Sequence, residues 1–407
     1  NMNAQEIINE LDNIFNSDPL IDEFDIVVCN PYIGEKTGSG FVVFIDHKVA
    51  LVANCVKILY KYAIESYHQL TSDKSTNLSD GNLSNELLLK FLSFTRVILL
   101  IKGDYPMAFN TRKLLLSRNK LSVAEELIFL SVLYTKHPKS PSAWNHRRFC
   151  LLLDKDSNKL QDYMVINEMN ICTKSISKHP KNYYAWMHRL WMLNHLKVDQ
   201  ILEELTFIGD WLFDHPSDHS AVSHRHQVIA LIIDRIQLVD SLDLTNRWSQ
   251  DSINASNLFD KSTNPSQSLY SRLWRDSSYL VINRPGSESV WYDRRSLITG
   301  TVSLITNHCI TIQDDIVITA VEIQSISEFT ALTESIDLMS LLDQLANAEI
   351  FRPLLSLVYL ETKFVNEVIE RSYSWNKDKQ IRFARSYHQY LIYEANRFVN
   401  STNCTDK

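Results

Sequence analysis

The sequence predicts an all-α protein, a solenoid of stacked helical hairpins behind a small N-terminal segment in which helices flank a β-hairpin. Three observations carry this expectation. One phrase recurs along the chain: His137-Pro-Lys-Ser-Pro-Ser-Ala-Trp144-Asn-His-Arg147, His179-Pro-Lys-Asn-Tyr-Tyr-Ala-Trp186-Met-His-Arg189, His215-Pro-Ser-Asp-His-Ser-Ala-Val222-Ser-His-Arg225 and Arg284-Pro-Gly-Ser-Glu-Ser-Val-Trp291-Tyr-Asp-Arg294. A degenerate copy, Gly103 to Arg112, carries Phe109 in the tryptophan place. The anchors at 109, 144, 186, 222 and 291 lie 35, 42, 36 and 69 residues apart, periods that suit helix-turn-helix units able to bury an apolar stripe only against a neighbour. Glycine (8) and proline (10) are also scarce in 407 residues. So little turn punctuation argues against an all-β sandwich or a Gly-rich nucleotide binder. Finally, the segments ahead of the phrase, such as Val123 to Thr135, are apolar and long enough for helices.

The N-terminal segment, residues 1–85, begins with an amphipathic helix from Ala4 to Phe15. Two alternating apolar runs follow, Phe24 to Val28 and Phe41 to Ile45, which could pair as a hairpin, and then a helix from Val49 to Tyr67. The polar stretch Thr71 to Asn85 leads into the repeats, placed at 86–305. Each repeat has a helix A before the phrase and a helix B after it. Ser122 and Glu125 read as a capping box for one helix A. Helix B has its start written in Ser140, Asn182, Asp218 and Ser287, good N-cap residues two positions after a proline. Anchor, arginine at +3 and aliphatic at +7 share one helical face, whereas the histidine at +2 points roughly 200° away, toward a second surface. The 69-residue interval holds a polar insertion at about 239–267, expected to be a loop, and residues 306–407 carry further helical patterns, Glu349 to Ser372 and Lys379 to Phe398.

A net charge of −7 offers no nucleic-acid footprint. No apolar run approaches the roughly 18 residues of a membrane span, and the opening residues lack a signal-peptide pattern, so a cytoplasmic protein is expected. Six dispersed cysteines without a C-x-x-C pair signal neither a disulfide framework nor a zinc site. His215, His219, His224 and His226 cluster locally, but no partner spacing completes a tetrahedron, and packing or interface roles are expected; metal ligation is not.

The repeated Pro-x-(Ser/Asn)-x-x-x-Trp-x-His-Arg phrase resembles the repeat of protein prenyltransferase alpha subunits. Ile21-Asp22-Glu23, Cys55-Val56-Lys57, Ser217-Asp218-His219-Ser220 and Arg382-Phe383-Ala384-Arg385-Ser386-Tyr387 look more like its divergent repeat-containing branch. The resemblance implies a right-handed α-α superhelix, a crescent wrapped around a beta subunit that holds the zinc and the lipid pocket. It also implies the alpha subunit of a type III geranylgeranyltransferase, paired with the Rab-type geranylgeranyltransferase beta subunit. Geranylgeranyl diphosphate would be the co-substrate and an already farnesylated SNARE one protein substrate, with no cofactor in this chain.

Free N–H groups and the helix dipole at the B-helix N-termini favour anions, and Lys139 and Lys181 stand one residue before the caps. The resemblance carries the diphosphate contact to Lys139 as the catalytic residue. It marks Lys181, Asn182, Tyr183 and Tyr184 as substrate-binding, although Pro141 and Tyr184 depart from the pattern by removing a tyrosine and a histidine. Arginines that bind carboxylates or carbonyls are expected at the partner interface, with the neighbouring polar groups: His146, Arg147, His188, Arg189, Asp218, His219, His224, Arg225 and Arg294. A tetratricopeptide-like adaptor, or a catalytically silent partner-binding scaffold, would start from the same hairpins. Such an adaptor has no reason to repeat Pro-Lys-(Ser/Asn) before Trp-x-His-Arg.

Overall fold

A computed structural model of the chain describes residues 3–28, 39–72, 84–153, 162–235, 265–306, 352–371 and 377–405. The chain packs as two compact units, residues 1–196 and 197–407. The first contains α1 (Ala4–Ser17), β1 (Glu23–Val27), β2 (Val42–Ile45), β3 (Lys48–Val52), α2 (Ala53–Ser72), α3 (Asn85–Ile101), α4 (Pro106–Ser117), α5 (Val123–Lys136), α6 (Pro141–Leu153), α7 (Asp162–Lys178), α8 (Tyr183–Met192) and a closing 3-10 turn, Leu193–His195. The second contains α9 (Val198–Asp214), α10 (His219–Arg235), α11 (Pro265–Asn283), α12 (Glu288–Thr306), α13 (Arg352–Glu370) and α14 (Lys377–Thr405). Most of the insertion expected at 239–267 falls outside the described residues.

One expectation is corrected in the N-terminal segment. The two apolar runs do not pair with each other; β3 lies between them, parallel to β1 and antiparallel to β2. The hairpin is β2–β3, closed by Asp46 and His47, both left-handed at φ 47° and 65° as a two-residue turn of this hand requires. Lys48 to Val52 reads as the start of a helix because α2 follows it without a break. Yet Val49 and Leu51 are buried and alternate with more exposed neighbours, which is strand periodicity. β1 is held against α5 through Thr135, whose hydroxyl accepts from the Phe24 amide at 2.9 Å and donates to its carbonyl at 3.1 Å.

The repeat helices begin where their caps predict: α6, α8, α10 and α12 start one residue after Ser140, Asn182, Asp218 and Ser287. Ser140 Oγ, Asn182 Oδ1 and Asp218 Oδ1 accept from the amides of Ala143, Asn182's own Ala185, and Ala221 respectively. Ser122 is the N-cap of α5 but its side chain makes no capping bond there. The caps also tie each repeat to its predecessor. Ser140 donates to the Gly103 carbonyl at 2.7 Å, Asn182 to that of Pro138 at 2.7 Å, and Ser287 to that of Pro216 at 2.5 Å. Gly103 is required by this close approach, since a Cβ there would lie 2.3 Å from the His137 side chain.

Tryptophans 144 and 186 fill the first unit and 274 and 291 the second, all essentially inaccessible. Cys55, Cys150 and Cys172 are buried free thiols, the first two pushed up by burial to about 11 and about 12. Among the described residues, no helix is long and apolar enough to cross a membrane.

Candidate functional site

The repeated arginine works as a clip between hairpins. Arg112 gives Nε and Nη2 to Glu126 at 2.8 and 2.5 Å, while Nη1 reaches back to Thr95 at 3.0 Å on its own helix A. Arg147 repeats this with Glu168 at 2.6 and 2.7 Å and with the Leu127 carbonyl and Ser131 at 3.0 and 3.2 Å. Arg294 repeats it again with Glu361 at 2.8 and 2.7 Å and Ser278 at 2.9 Å. One edge of each guanidinium thus holds its own hairpin and the other holds the next, a fork geometry that lysine could not reproduce.

The histidine completes the contact. His146 donates to Glu126 at 2.7 Å, His188 to Glu168 at 2.9 Å and His224 to Glu204 at 2.8 Å, each carboxylate standing twenty residues before its histidine. His146 and His188 also lie against the preceding anchor, Phe109 with His146 at 5.0 Å and Trp144 with His188 at 5.1 Å between ring centroids.

Burial pushes Glu126 and Glu168 up, but Arg112 with His146, and Arg147 with His188, outweigh it and hold both at about 2. Burial also holds His146 and His188 below the usual histidine value despite the carboxylates they bond. The folded state therefore binds fewer protons than the unfolded chain below about pH 6.5 at the histidines and below about pH 4.5 at the glutamates. Stability of the first unit is present above pH 6.5, falls below it, and falls further between about 4.5 and 2. Hydrogen exchange of α5–α8, corrected for intrinsic rate, is expected to lose protection on acidification from pH 7.5 to 5; unchanged protection would exclude this linkage.

These contacts correct the expected partner interface. His146, Arg147, His188, Arg189, Asp218, His224, Arg225 and Arg294 are all buried within the chain. The helical wheel separates histidine from tryptophan, but His146 and His188 turn to a carboxylate of their own hairpin and to the anchor of the preceding one, so this second surface is interior too. Arg189 bonds the Met169 carbonyl and Thr173 at 2.9 and 2.8 Å, and Asp218 accepts from Trp211 at 3.1 Å. Of that set only His219 is exposed, 6.1 Å from the Tyr292 ring. The four clustered histidines go to different neighbours: His215 stacks on Trp211 at 3.8 Å, His224 bonds Glu204, and His226 lies 2.5 Å from the Ser296 hydroxyl. Among the described residues, no three His, Cys, Asp or Glu side chains are grouped to hold a metal.

The substrate-side residues fall on one edge of the first unit. The cap bonds bring the N-termini of α4, α6 and α8 side by side, and the Ser142 amide adds a bond to Asp104 at 3.2 Å. Lys139 is exposed there. Burial, with Lys139 and Lys178 nearby, holds His179 below its ordinary value. Lys181, also exposed, adopts a left-handed φ of 62° before the buried cap Asn182. Tyr183 is 55% exposed and meets Tyr184 edge-on at 5.4 Å. Lys139, Lys181, Tyr183 and Tyr184 are thus neighbours at a shared helix-N-terminal edge, whereas Asn182 is a structural cap.

Sequence reasoning missed the carboxylates Glu126, Glu168, Glu204 and Glu361. For the first three the signal was available: their twenty-residue Glu-to-His interval is constant where the anchor spacing is not. It also missed an outward row on the B helices. Lys113 lies over Phe149 at 5.4 Å, Arg148 over Trp191 at 5.9 Å and Arg295 over Tyr390 at 5.5 Å, each cation meeting an aromatic ring of the next hairpin. A further hairpin, α13–α14, reuses the clip with Tyr387 in the histidine place, donating to Glu361 at 2.5 Å and lying 5.2 Å from Trp291.

The chain matches the family model of the protein prenyltransferase alpha subunit repeat at residues 123–153, 165–196 and 201–232. It is 25% identical over 323 residues to the protein prenyltransferase alpha subunit repeat-containing protein 1-A of Xenopus laevis, covering 72% of this chain and 71% of that protein. To the protein prenyltransferase alpha subunit repeat-containing protein 1 of Danio rerio it is 25% identical, with the same shares, and to that of Homo sapiens 24% identical over 58% of this chain and 61% of the relative. The matched segments coincide with the α5–α6, α7–α8 and α9–α10 hairpins, each carrying its Glu–His contact, so the chain is a helical-repeat protein that in these three hairpins is similar to the protein prenyltransferase alpha subunit repeat.

Proposed function

We propose that this chain is the alpha subunit of a heterodimeric protein geranylgeranyltransferase of type III, active only with a Rab-type geranylgeranyltransferase beta subunit. The supporting observation is the edge where three B-helix N-termini adjoin and Lys139 stands exposed, in no ion pair among the described residues. Transfer of a prenyl group expels diphosphate, whose growing charge needs positioned donors, and backbone N–H groups with a nearby ammonium supply them. Lys139 contacts the geranylgeranyl diphosphate, and Lys181 with Tyr183 and Tyr184 contacts the protein substrate, such as a farnesylated SNARE. Zinc belongs to the beta subunit. With the Trp-x-His-Arg set spent inside the chain, the beta subunit meets the outward row of B helices, Lys113, Phe149, Arg148 and Trp191 in the first unit. The protein is placed in the cytoplasm.

Co-expression with that beta subunit is expected to give a 1:1 complex that transfers geranylgeranyl to a farnesylated SNARE. Lys139→Ala should leave assembly intact and lower transfer roughly 10- to 100-fold, the size of one charge-assisted contact. A chain that ignores the beta subunit, or a Lys139→Ala complex of full activity, would sink the proposal.

A further inference from the structure

The α10–α11–α12 joint breaks the pattern of the others. Asp293 stands where the other repeats have histidine, and Asp276 stands on the facing helix A. Arg225 reaches both only at ion-pair distance, 3.3 Å from Asp293 and 3.8 Å from Asp276. All three residues are 5% exposed or less. Where the joints at Glu126 and Glu168 set one carboxylate between an arginine and a neutral histidine, this one sets two carboxylates against one buried arginine.

The other groups around the pair are shared with further partners or more exposed. From α10, besides Arg225, His226 lies 3.4 Å from Asp293 but is 30% exposed. From α11, Arg272 stands 3.8 Å from Asp276 and donates to Thr206 of α9 at 2.7 Å, with Arg275 further off. Glu204 of α9 is engaged with His224. On α12, Arg294 is committed to Glu361 of α13, which also takes the Tyr387 hydroxyl of α14.

We propose that this joint is a proton-operated coupling between the fourth and fifth repeats. One proton taken up by the Asp276–Asp293 pair restores the single-carboxylate arrangement of the other joints and tightens α11 against α10 and α12. Burial raises Asp276 to about 6 against the pull of Arg225 and Arg272. Asp293, equally buried, is held below the ordinary carboxylate value by Arg225 and His226. The folded state thus keeps a proton that the unfolded chain has lost above about pH 3.9. The joint's stability falls as pH rises from there to about 6 and stays low above it, opposite in sign to the glutamate joints.

Hydrogen exchange on the full chain, corrected for intrinsic rate, tests this at pH 7.5 and 5.0. Amides of α11 and α12 should gain about tenfold in protection at pH 5.0, while α5–α8 lose protection in the same sample. Asp276→Asn should show the high protection already at pH 7.5, and Asp293→His should reverse the sign of the pH dependence, so that α11 and α12 lose protection at pH 5.0 as the carboxylate–histidine joints do. Loss of protection at α11–α12 in step with α5–α8, or a fall at pH 7.5 in Asp276→Asn, would overturn the proposal.

Discussion

Glu168→Ala is expected to lower the free energy of unfolding by about 3–5 kcal/mol, the cost of removing one partner from a buried charge pair. The size follows from what is left behind. Arg147 keeps a full charge at 1% exposure, having lost both bonds of its forked edge, and His188 loses the acceptor for its Nε2 proton. Both groups sit in a dry seam between hairpins, so water cannot replace the carboxylate without opening the seam. A second arm separates the clip from simple loss of volume. Arg147→Met combined with Glu168→Leu should cost far less than either single change, because a well-packed apolar pair can match a buried ion pair once neither charge is stranded. Chemical denaturation of the four variants gives the coupling directly. A Glu168→Ala loss below about 1 kcal/mol, the range of exposed pairs, would mean that the contact does not hold the hairpins together.

Trp144→Ala is expected to cost about 3–5 kcal/mol as well, through a cavity that close-packed neighbours cannot fill. The ring is 1% exposed, stacks on Tyr134 at 4.0 Å and supports His188 of the next hairpin. Its indole N–H donates to the Pro138 carbonyl at 2.9 Å, so the loop that carries Lys139 is anchored by the same side chain. Trp144→Phe should recover most of the stability, since the first repeat packs Phe109 in this place, and forfeit about 1 kcal/mol for the lost hydrogen bond. If the alanine and phenylalanine variants unfold alike, the anchor is not the packing element assigned to it.

Much of this was legible in the residues. Proline, cap and tryptophan recurred in order, and each of the three signals has a local cause: a fixed φ, an amide satisfied by a side-chain oxygen, and a large ring at helical register. The helices therefore start where the caps place them. β3 was not legible as a strand because its run of apolar residues passes directly into α2, and only pairing with two strands reveals its alternation. The His-Arg sets were misassigned for a related reason. A helical wheel reports which residues share a face and is silent on how many faces are covered.

By itself, the sequence determined the helical-hairpin repeat, the positions of its caps and anchors, and the place of Lys139 and Lys181 in the loops before helix B. These rest on interactions among residues close along the chain. Tertiary structure alone decided that Arg112, Arg147 and Arg294 each end on a glutamate of the following hairpin, that Tyr387 takes a histidine's place, and that Arg225 stands between Asp276 and Asp293. Such pairings join residues far apart in sequence, and a charge is spent inside or shown outside only when the neighbouring hairpin closes over it and excludes water.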